Sequence, residues 1–162
     1  MIFEHISTCE NDTYKMGEII GSLLEPGNII ALIGDLGAGK TVLVKGIAKG
    51  LNTDEEPNSP TFTIMSIYDG NIPLCHFDLY RISKIEELEN IGYKDFFYGD
   101  GISVVEWADK IEEILPVYSL KISISYYNDG FSDSEKIRKL IIEGSDKWIL
   151  LFKNMVEQAF QT

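Results

Sequence analysis

The sequence is short of cysteine, of basic residues and of long apolar runs, and each shortage excludes a class of protein. Its two cysteines, Cys9 and Cys75, are far apart and lack the spacing of metal ligands or of a C-x-x-C motif. We therefore expect ordinary reduced thiols and no structural zinc. No run approaches the roughly 18 apolar residues of a membrane span, and the N-terminus carries acids instead of a basic leader. These features predict a cytoplasmic protein with no membrane contact.

The charge balance is strongly acidic, with 14 Lys and Arg against 26 Asp and Glu and a net charge of -12. A field of this sign repels polyanions, so tight binding to nucleic acid by the chain alone is not expected. The acid excess also has a plainer interpretation, which is that it keeps the surface soluble. With 162 residues, 44% of them hydrophobic, the chain fits one globular domain spanning residues 1–162.

Short apolar runs and helical periodicities alternate along the chain. An apolar run at 28–33 predicts a strand, and the helical pattern at 41–51 follows it after a glycine-rich loop. "TFTIMSIY" and "PLCHFDLY" around "DGN" predict a β-hairpin. Further strands are predicted at 2–6, 102–107, 119–127 and 136–144, and helices at 14–24 (capped by Asn11 or Asp12), 83–92, 108–115 and 148–160. This pattern predicts an α/β fold whose central sheet mixes parallel and antiparallel strands and is flanked by helices.

The stretch "IGDLGAGKTVLVKG", residues 33–46, contains the spacing G-x-x-x-x-G-K-[ST] between a predicted strand and a predicted helix. Glycines let successive backbone N–H groups face phosphate oxygens, and the helix adds its positive N-terminal end. Lys40 is placed to bridge the β- and γ-phosphates, and the Thr41 hydroxyl to bind Mg²⁺. The loop predicts a P-loop NTPase-like domain with ATP and Mg²⁺ as cofactors, although a chance glycine loop remains the alternative. The candidate nucleotide-binding residues are Gly34, Asp35, Leu36, Gly37, Ala38, Gly39, Lys40, Thr41 and Val42.

A P-loop also needs an acid for the metal, normally at the end of a neighbouring apolar strand. Glu106 closes "ISVVE" and could coordinate Mg²⁺ directly or through water, and Asp78 closes "PLCHFD" and could orient the attacking water or hold the metal shell. The alternative for each acid is a solvated strand end. His76 could act as an acid or base but is more often a hydrogen-bonded structural residue in such a setting. Trp107 is interpreted as a packing residue or a lid over the site.

Five segments together resemble the TsaE family, also called YjeE, a group of small bacterial P-loop ATPases. They are "GDLGAGKT" at 34–41, "SPTFT" at 59–63, "HFDLYR" at 76–81, "IGY" at 91–93 and "VVEWADK" at 104–110. The first could occur in other P-loop proteins, whereas "HFDLYR" followed by "VEWADK" is far more specific. The resemblance as a whole covers roughly residues 5 to 116, about two thirds of the chain.

The resemblance implies a role in making N6-threonylcarbamoyladenosine at tRNA position 37, beside the anticodon. It implies a TsaD-type transferase and a TsaB-type protein as partners, and contact with tRNA only through their complex. ATP hydrolysis would then reset the complex between turnovers. Slow hydrolysis by the chain alone is expected, because no arginine finger is evident in the sequence. A P-loop small-molecule kinase and a nucleotide-sensing interaction protein are the alternatives.

The resemblance also assigns roles to particular residues. It implies that Thr41 and Glu106 are the metal ligands, and it adds Thr61 as a switch residue whose hydroxyl could sense the γ-phosphate. A plain turn into the next strand is the alternative for Thr61. Thr13, Asp78 and Trp107 match positions that the family uses near the nucleotide. The implied catalytic residues are Lys40, Asp78, Glu106 and Thr61.

Overall fold

One sheet of seven strands runs through the computed structural model, which describes residues 1–58, 63–128, 130–131 and 135–161. The strands are β1 (Ile2–Ser7), β2 (Ile29–Ile33), β3 (Met65–Tyr68), β4 (Leu74–Asp78), β5 (Ile102–Glu106), β6 (Leu120–Tyr126) and β7 (Arg138–Glu143). Their spatial order is β1-β7-β6-β2-β5-β4-β3. The four central strands are parallel, and β1, β7 and β3 pair antiparallel. The predicted mixed sheet is confirmed.

Helices cover both faces of this sheet. They are α1 (Glu10–Ser22), α2 (Lys40–Gly50), α3 (Glu86–Asn90), α4 (Tyr93–Phe97), a 3₁₀ helix (Ala108–Ile114) and α5 (Asp146–Phe160). Alternate residues of β2 point to opposite faces: Ile30 and Leu32 join the core under α1, α2 and α5, whereas Ile29 and Ala31 join the core under the shorter helices. Burial on both faces explains why the central strands are near-continuous apolar runs. No helix in the described ranges is long and apolar enough to cross a membrane.

The carboxyl ends of β2, β4, β5 and β6 lie together, and we call this side of the sheet its carboxyl end. Leu32 of β2 and Asp78 of β4 are both in register with Glu106 of β5. The chain leaving β2 forms the glycine-rich loop, so this loop and the two acids predicted as ligands meet at one place. Open α/β sheets bind ligands at this position.

Helix α1 packs against α2 through glycines, which fixes α2 behind the loop. A Cβ on Gly46 of α2 would lie 2.1 Å from the Tyr14 carbonyl oxygen, and one on Gly17 of α1 would lie 2.4 Å from the Leu43 carbonyl oxygen. Gly21 and Gly50 are equally close to backbone oxygens of the opposite helix. The two backbones therefore touch directly, and no larger residue fits at these four positions.

Two local predictions need correction, and one helix was not predicted. Helix α1 begins at Glu10 after Cys9, not after Asn11 or Asp12, because the Asp12 carboxylate reaches back 3.0 Å to the backbone N–H of Thr8 from inside the first turn. Residues 108–114 form a 3₁₀ helix, with non-helical backbone angles at Ile111. Helix α4 was not predicted, and it forms where two aromatic side chains, Tyr93 and Phe97, are buried.

Candidate functional site

The loop between β2 and α2 has a backbone that only glycine adopts readily. Gly37 and Gly39 have φ angles of 78° and 105°, in the left-handed region, and Gly39 is the N-cap of α2. A Cβ on Gly34 would lie 2.6 Å from the Ile124 carbonyl oxygen of β6. The three glycines of the motif are thus required by backbone shape or by the close approach of β6.

The Lys40 ammonium lies inside this loop. Its Nζ donates hydrogen bonds to the carbonyl oxygens of Gly34 and, at 3.0 Å, of Asp35, and it lies 4.0 Å from the centre of the Trp107 ring. The residue is only 6% exposed. Burial lowers the pKa of Lys40, and the nearby carboxylates, Glu106 first and then Asp78, oppose that shift. A buried cation therefore stands beside the two acids.

Asp78 and Glu106 end neighbouring parallel strands. Asp78 is partly buried and accepts a hydrogen bond of 3.0 Å from the backbone N–H of Tyr80. Burial raises the pKa of Asp78, and the Glu106 carboxylate adds to that rise, while the Tyr80 N–H opposes it. Two carboxylates close to one buried lysine, with shifted pKa values for Asp78 and Lys40, mark a candidate functional site.

His76 is hydrogen-bonded to Glu106 inside the protein. Its Nε2 lies 2.7 Å from Glu106 Oε2, and the two side chains are 1% and 4% exposed. A carboxylate oxygen can only accept from Nε2–H, so the tautomer that carries the proton on Nε2 suits this contact. Among the described residues, Nδ1 of His76 has no hydrogen-bond partner. His76 thus holds one oxygen of Glu106 in place, in keeping with its interpretation as a hydrogen-bonded structural residue.

Two aromatic side chains that contact each other, Tyr80 and Trp107, also line the site. Trp107 has a φ of 60°, unusual for a non-glycine residue, and its ring centre lies 5.0 Å from that of Tyr80. Lys110 links the 3₁₀ helix to the segment after β4, because its Nζ donates to the carbonyl oxygens of Tyr80 at 2.6 Å and Ile82 at 3.3 Å. The segments "HFDLYR" and "VEWADK" therefore meet in space. A strained backbone held by its surroundings is characteristic of a functional position.

These groups surround a cleft of about 290 Å³. Its lining residues are Leu36, Gly37, Gly39, Lys40, Thr41, Asp78, Tyr80, Glu106 and Trp107. A hydroxyl and two carboxylates are hard oxygen donors of the kind that Mg²⁺ prefers, so the residues fit that ion. Within the described ranges no three His, Cys, Asp or Glu side chains form a complete metal cage. A Mg²⁺ ion here would share its coordination with water and phosphate oxygens, as it commonly does.

A second cleft, of about 530 Å³, lies on the other side of the loop. It shares Gly37 and Gly39 with the first cleft, and Val42, Thr13 and Arg138 also line it. Thr13 is buried and its hydroxyl lies 2.6 Å from that of Ser7. The structure thus places Thr13 beside the loop, whereas Thr61 lies outside the described residues.

Sequence reasoning missed three residues that contact this region: Lys110, Tyr126 and Arg138. Lys110 is part of "VEWADK", so its segment was recognised although its contacts with the carbonyls after β4 were not. Tyr126 donates to the Gly37 carbonyl oxygen and Arg138 to that of Ala38. Both come from strands far along the chain, and nothing in the local sequence indicates such contacts.

A strand, a G-x-x-x-x-G-K-T loop and a helix, with acids ending the adjacent parallel strands, place this molecule in the class of P-loop NTPase-like α/β proteins. The family model described as "Threonylcarbamoyl adenosine biosynthesis protein TsaE" matches residues 7–136. The chain belongs to the TsaE family.

Individual relatives agree with this assignment. The tRNA threonylcarbamoyladenosine biosynthesis protein TsaE of Treponema pallidum is 42% identical over 125 residues, covering 77% of this chain and 93% of that protein. The protein of the same name from Bacillus subtilis is 44% identical over 119 residues, covering 73% and 74%. The crystal structure of Bacillus subtilis YdiB superimposes with a TM-score of 0.74 at 29% identity, covering 98% of this chain and 97% of that one.

Proposed function

We propose that this protein is a Mg²⁺-dependent ATPase required for forming the threonylcarbamoyl group on N6 of adenosine at position 37 of tRNAs, acting with TsaD- and TsaB-type partners. One observation carries the ATPase part: Lys40 and Thr41 line the same cleft as Asp78 and Glu106. Family membership and the printed names of the relatives support the role in tRNA modification.

In this proposal the chain's own groups bind and orient the triphosphate. The Lys40 ammonium exchanges its two carbonyl partners for β- and γ-phosphate oxygens, which carry more negative charge. Loop N–H groups and the N-terminus of α2 stabilise the same charge as water attacks the γ-phosphorus in line. Asp78, which is in register with Glu106 on the neighbouring strand, would orient that water.

Thr41 and Glu106 would hold the metal ion, with His76 fixing one oxygen of Glu106. When bound, Mg²⁺ would neutralise charge on the phosphates. The larger cleft would take the nucleoside, because it adjoins the loop at Gly37 and Gly39 and has room for a base and a ribose. The phosphates would then follow the loop from the larger cleft towards Lys40 and Thr41 in the smaller one.

Hydrolysis by the protein alone is expected to be slow. The sequence has two arginines, Arg81 and Arg138. The Arg138 guanidinium donates to the backbone carbonyls of Ala38, Glu135 and Ile137, and Arg81 is exposed. Arg138 is held by backbone carbonyls and Arg81 does not line the cleft, so a partner would have to complete the transition-state charge. This requirement would couple ATP consumption to assembly of the modification complex.

The test is ATP hydrolysis measured with and without TsaD- and TsaB-type proteins from the same organism. We expect slow Mg²⁺-dependent hydrolysis alone, stimulation by the partners, and formation of the modified base on added tRNA. Lys40→Ala should abolish both activities, whereas the control Lys153→Ala, on the exposed face of α5, should not. Absence of stimulation together with unchanged tRNA modification would refute the proposal.

A further inference from the structure

Two side chains at the end of the β6–β7 hairpin donate hydrogen bonds to carbonyl oxygens of the glycine-rich loop. Tyr126 and Arg138 are register partners across β6 and β7, at the carboxyl end of the sheet. The Tyr126 hydroxyl donates to the Gly37 carbonyl oxygen at 2.9 Å, and Arg138 Nε donates to the Ala38 carbonyl oxygen at 2.9 Å. Two consecutive carbonyls of the loop are therefore held by one hairpin.

The side chains of Tyr126 and Arg138 also contact each other. The Arg138 guanidinium carbon lies 4.0 Å from the centre of the Tyr126 ring, a stacked cation–π arrangement. Arg138 Nη1 donates to the carbonyl oxygens of Glu135 at 2.6 Å and Ile137 at 3.1 Å, which anchors the guanidinium to its own strand. Neither side chain can leave its loop carbonyl without losing other contacts.

Holding a carbonyl also sets the direction of the next N–H, because the peptide unit is planar and trans and its C=O and N–H point opposite ways. The hydrogen bond from Arg138 to the Ala38 carbonyl oxygen therefore directs the Gly39 N–H away from the hairpin. The preceding peptide, between Gly37 and Ala38, is hydrogen-bonded at both ends. Its carbonyl oxygen accepts from Tyr126, and its N–H donates to the Asp35 carbonyl oxygen at 3.1 Å. At left-handed glycines a peptide could otherwise rotate at little cost.

We propose that Tyr126 and Arg138 are positioning residues that keep the Gly37 and Ala38 carbonyls turned away from the phosphates and leave the Gly39 N–H available to them. This inference rests on the proposed nucleotide site and adds a role for the C-terminal hairpin, outside the motifs that marked that site. A rotated peptide would place a carbonyl oxygen against a phosphate oxygen, which repels it. The hairpin thus contributes to phosphate affinity without touching the nucleotide's phosphates.

The experiment measures Mg²⁺·ADP binding by calorimetry for the wild type, Tyr126→Phe, Arg138→Lys and a control, Tyr118→Phe. Tyr118 is exposed and lies at the opposite end of the sheet. Tyr126→Phe should weaken ADP binding about threefold, as expected for one partly exposed neutral hydrogen bond. Arg138→Lys should weaken it about tenfold or more, because lysine keeps the charge but loses the planar donor. The control should bind as the wild type does.

Two further readouts separate positioning from a general effect on the fold. Thermal unfolding without nucleotide should change little in Tyr126→Phe, and the backbone amide NMR signals of residues 38 and 39 should shift while those of β1 stay in place. Unchanged ADP affinity in both variants would overturn the inference, as would a loss of affinity matched by a general loss of stability. If the wild type itself binds no ADP, the proposed function fails instead, so the two failures are distinguishable.

Discussion

The α1–α2 contact and the carboxyl end of the sheet share helix α2 but are built in opposite ways. Along α2, Gly46 and Gly50 bring two backbones into direct contact with no space for a methyl group. At its N-terminus the same helix faces a cleft lined by charged groups and a Trp107 with positive φ. Packing without gaps stabilises the fold, whereas buried charge and backbone strain are retained where they serve a function. Substitutions in the two regions should therefore separate stability from activity.

The largest effect on stability is expected for Gly46→Ala. Alanine in place of glycine ordinarily stabilises a helix by about 1 kcal/mol. Here the new Cβ would lie 2.1 Å from the Tyr14 carbonyl oxygen, so the helices must separate. We expect a loss of about 3 kcal/mol in the free energy of unfolding, the upper range for overpacking. Urea unfolding checks this, with Lys49→Ala on the exposed side of α2 as the control; a more stable Gly46→Ala protein would contradict the packing account.

A smaller effect, on activity instead of stability, is expected for His76→Phe. The substitution keeps an aromatic ring but removes the donor that holds Glu106 Oε2 at 2.7 Å. Hydrolysis of ATP should fall about tenfold or more, the value of one hydrogen bond to a charged group. ADP affinity should change less, because the loop contacts remain.

The matched control is His5→Phe. His5 also faces a carboxylate, Asp12 at 3.4 Å, but His5 lies on β1 and neither residue lines either cleft. Hydrolysis at the wild-type rate in His76→Phe, or an equal loss in both variants, would show that the His76–Glu106 contact has no specific role.

The smallest effect is expected for Lys110→Met, which removes the two hydrogen bonds that tie the segment after β4 to the 3₁₀ helix. The Tyr80–Trp107 pair should loosen, so tryptophan fluorescence should change and nucleotide affinity should fall about threefold, as for a modest hydrogen-bond loss. Lys153→Met, on the exposed side of α5, serves as the control. Identical fluorescence in wild type and Lys110→Met would argue against this tie.

Local sequence predicted the strands and most helices because their apolar periodicity is strong, and the spacing of Gly34, Gly39, Lys40 and Thr41 predicted the loop. Asp78 and Glu106 were also predicted as candidate acids because both end apolar strands, but their meeting depends on the pairing of β4 with β5. The α1–α2 glycine contact could not be predicted, because glycines inside a helical pattern indicate nothing about the opposite helix. The hydrogen bonds from Tyr126 and Arg138 to the loop depend on β6 lying beside β2, which is set by topology and not by a local motif.

The most direct test of the central claim is the content of N6-threonylcarbamoyladenosine in tRNA from cells depleted of this protein. Depleted cells are then supplied with the wild type, Glu106→Gln, or Glu112→Gln, an exposed acid on the 3₁₀ helix. We predict that depletion lowers the modified base, that the wild type and Glu112→Gln restore it, and that Glu106→Gln does not. Unchanged modification on depletion, or restoration by Glu106→Gln, would contradict the account.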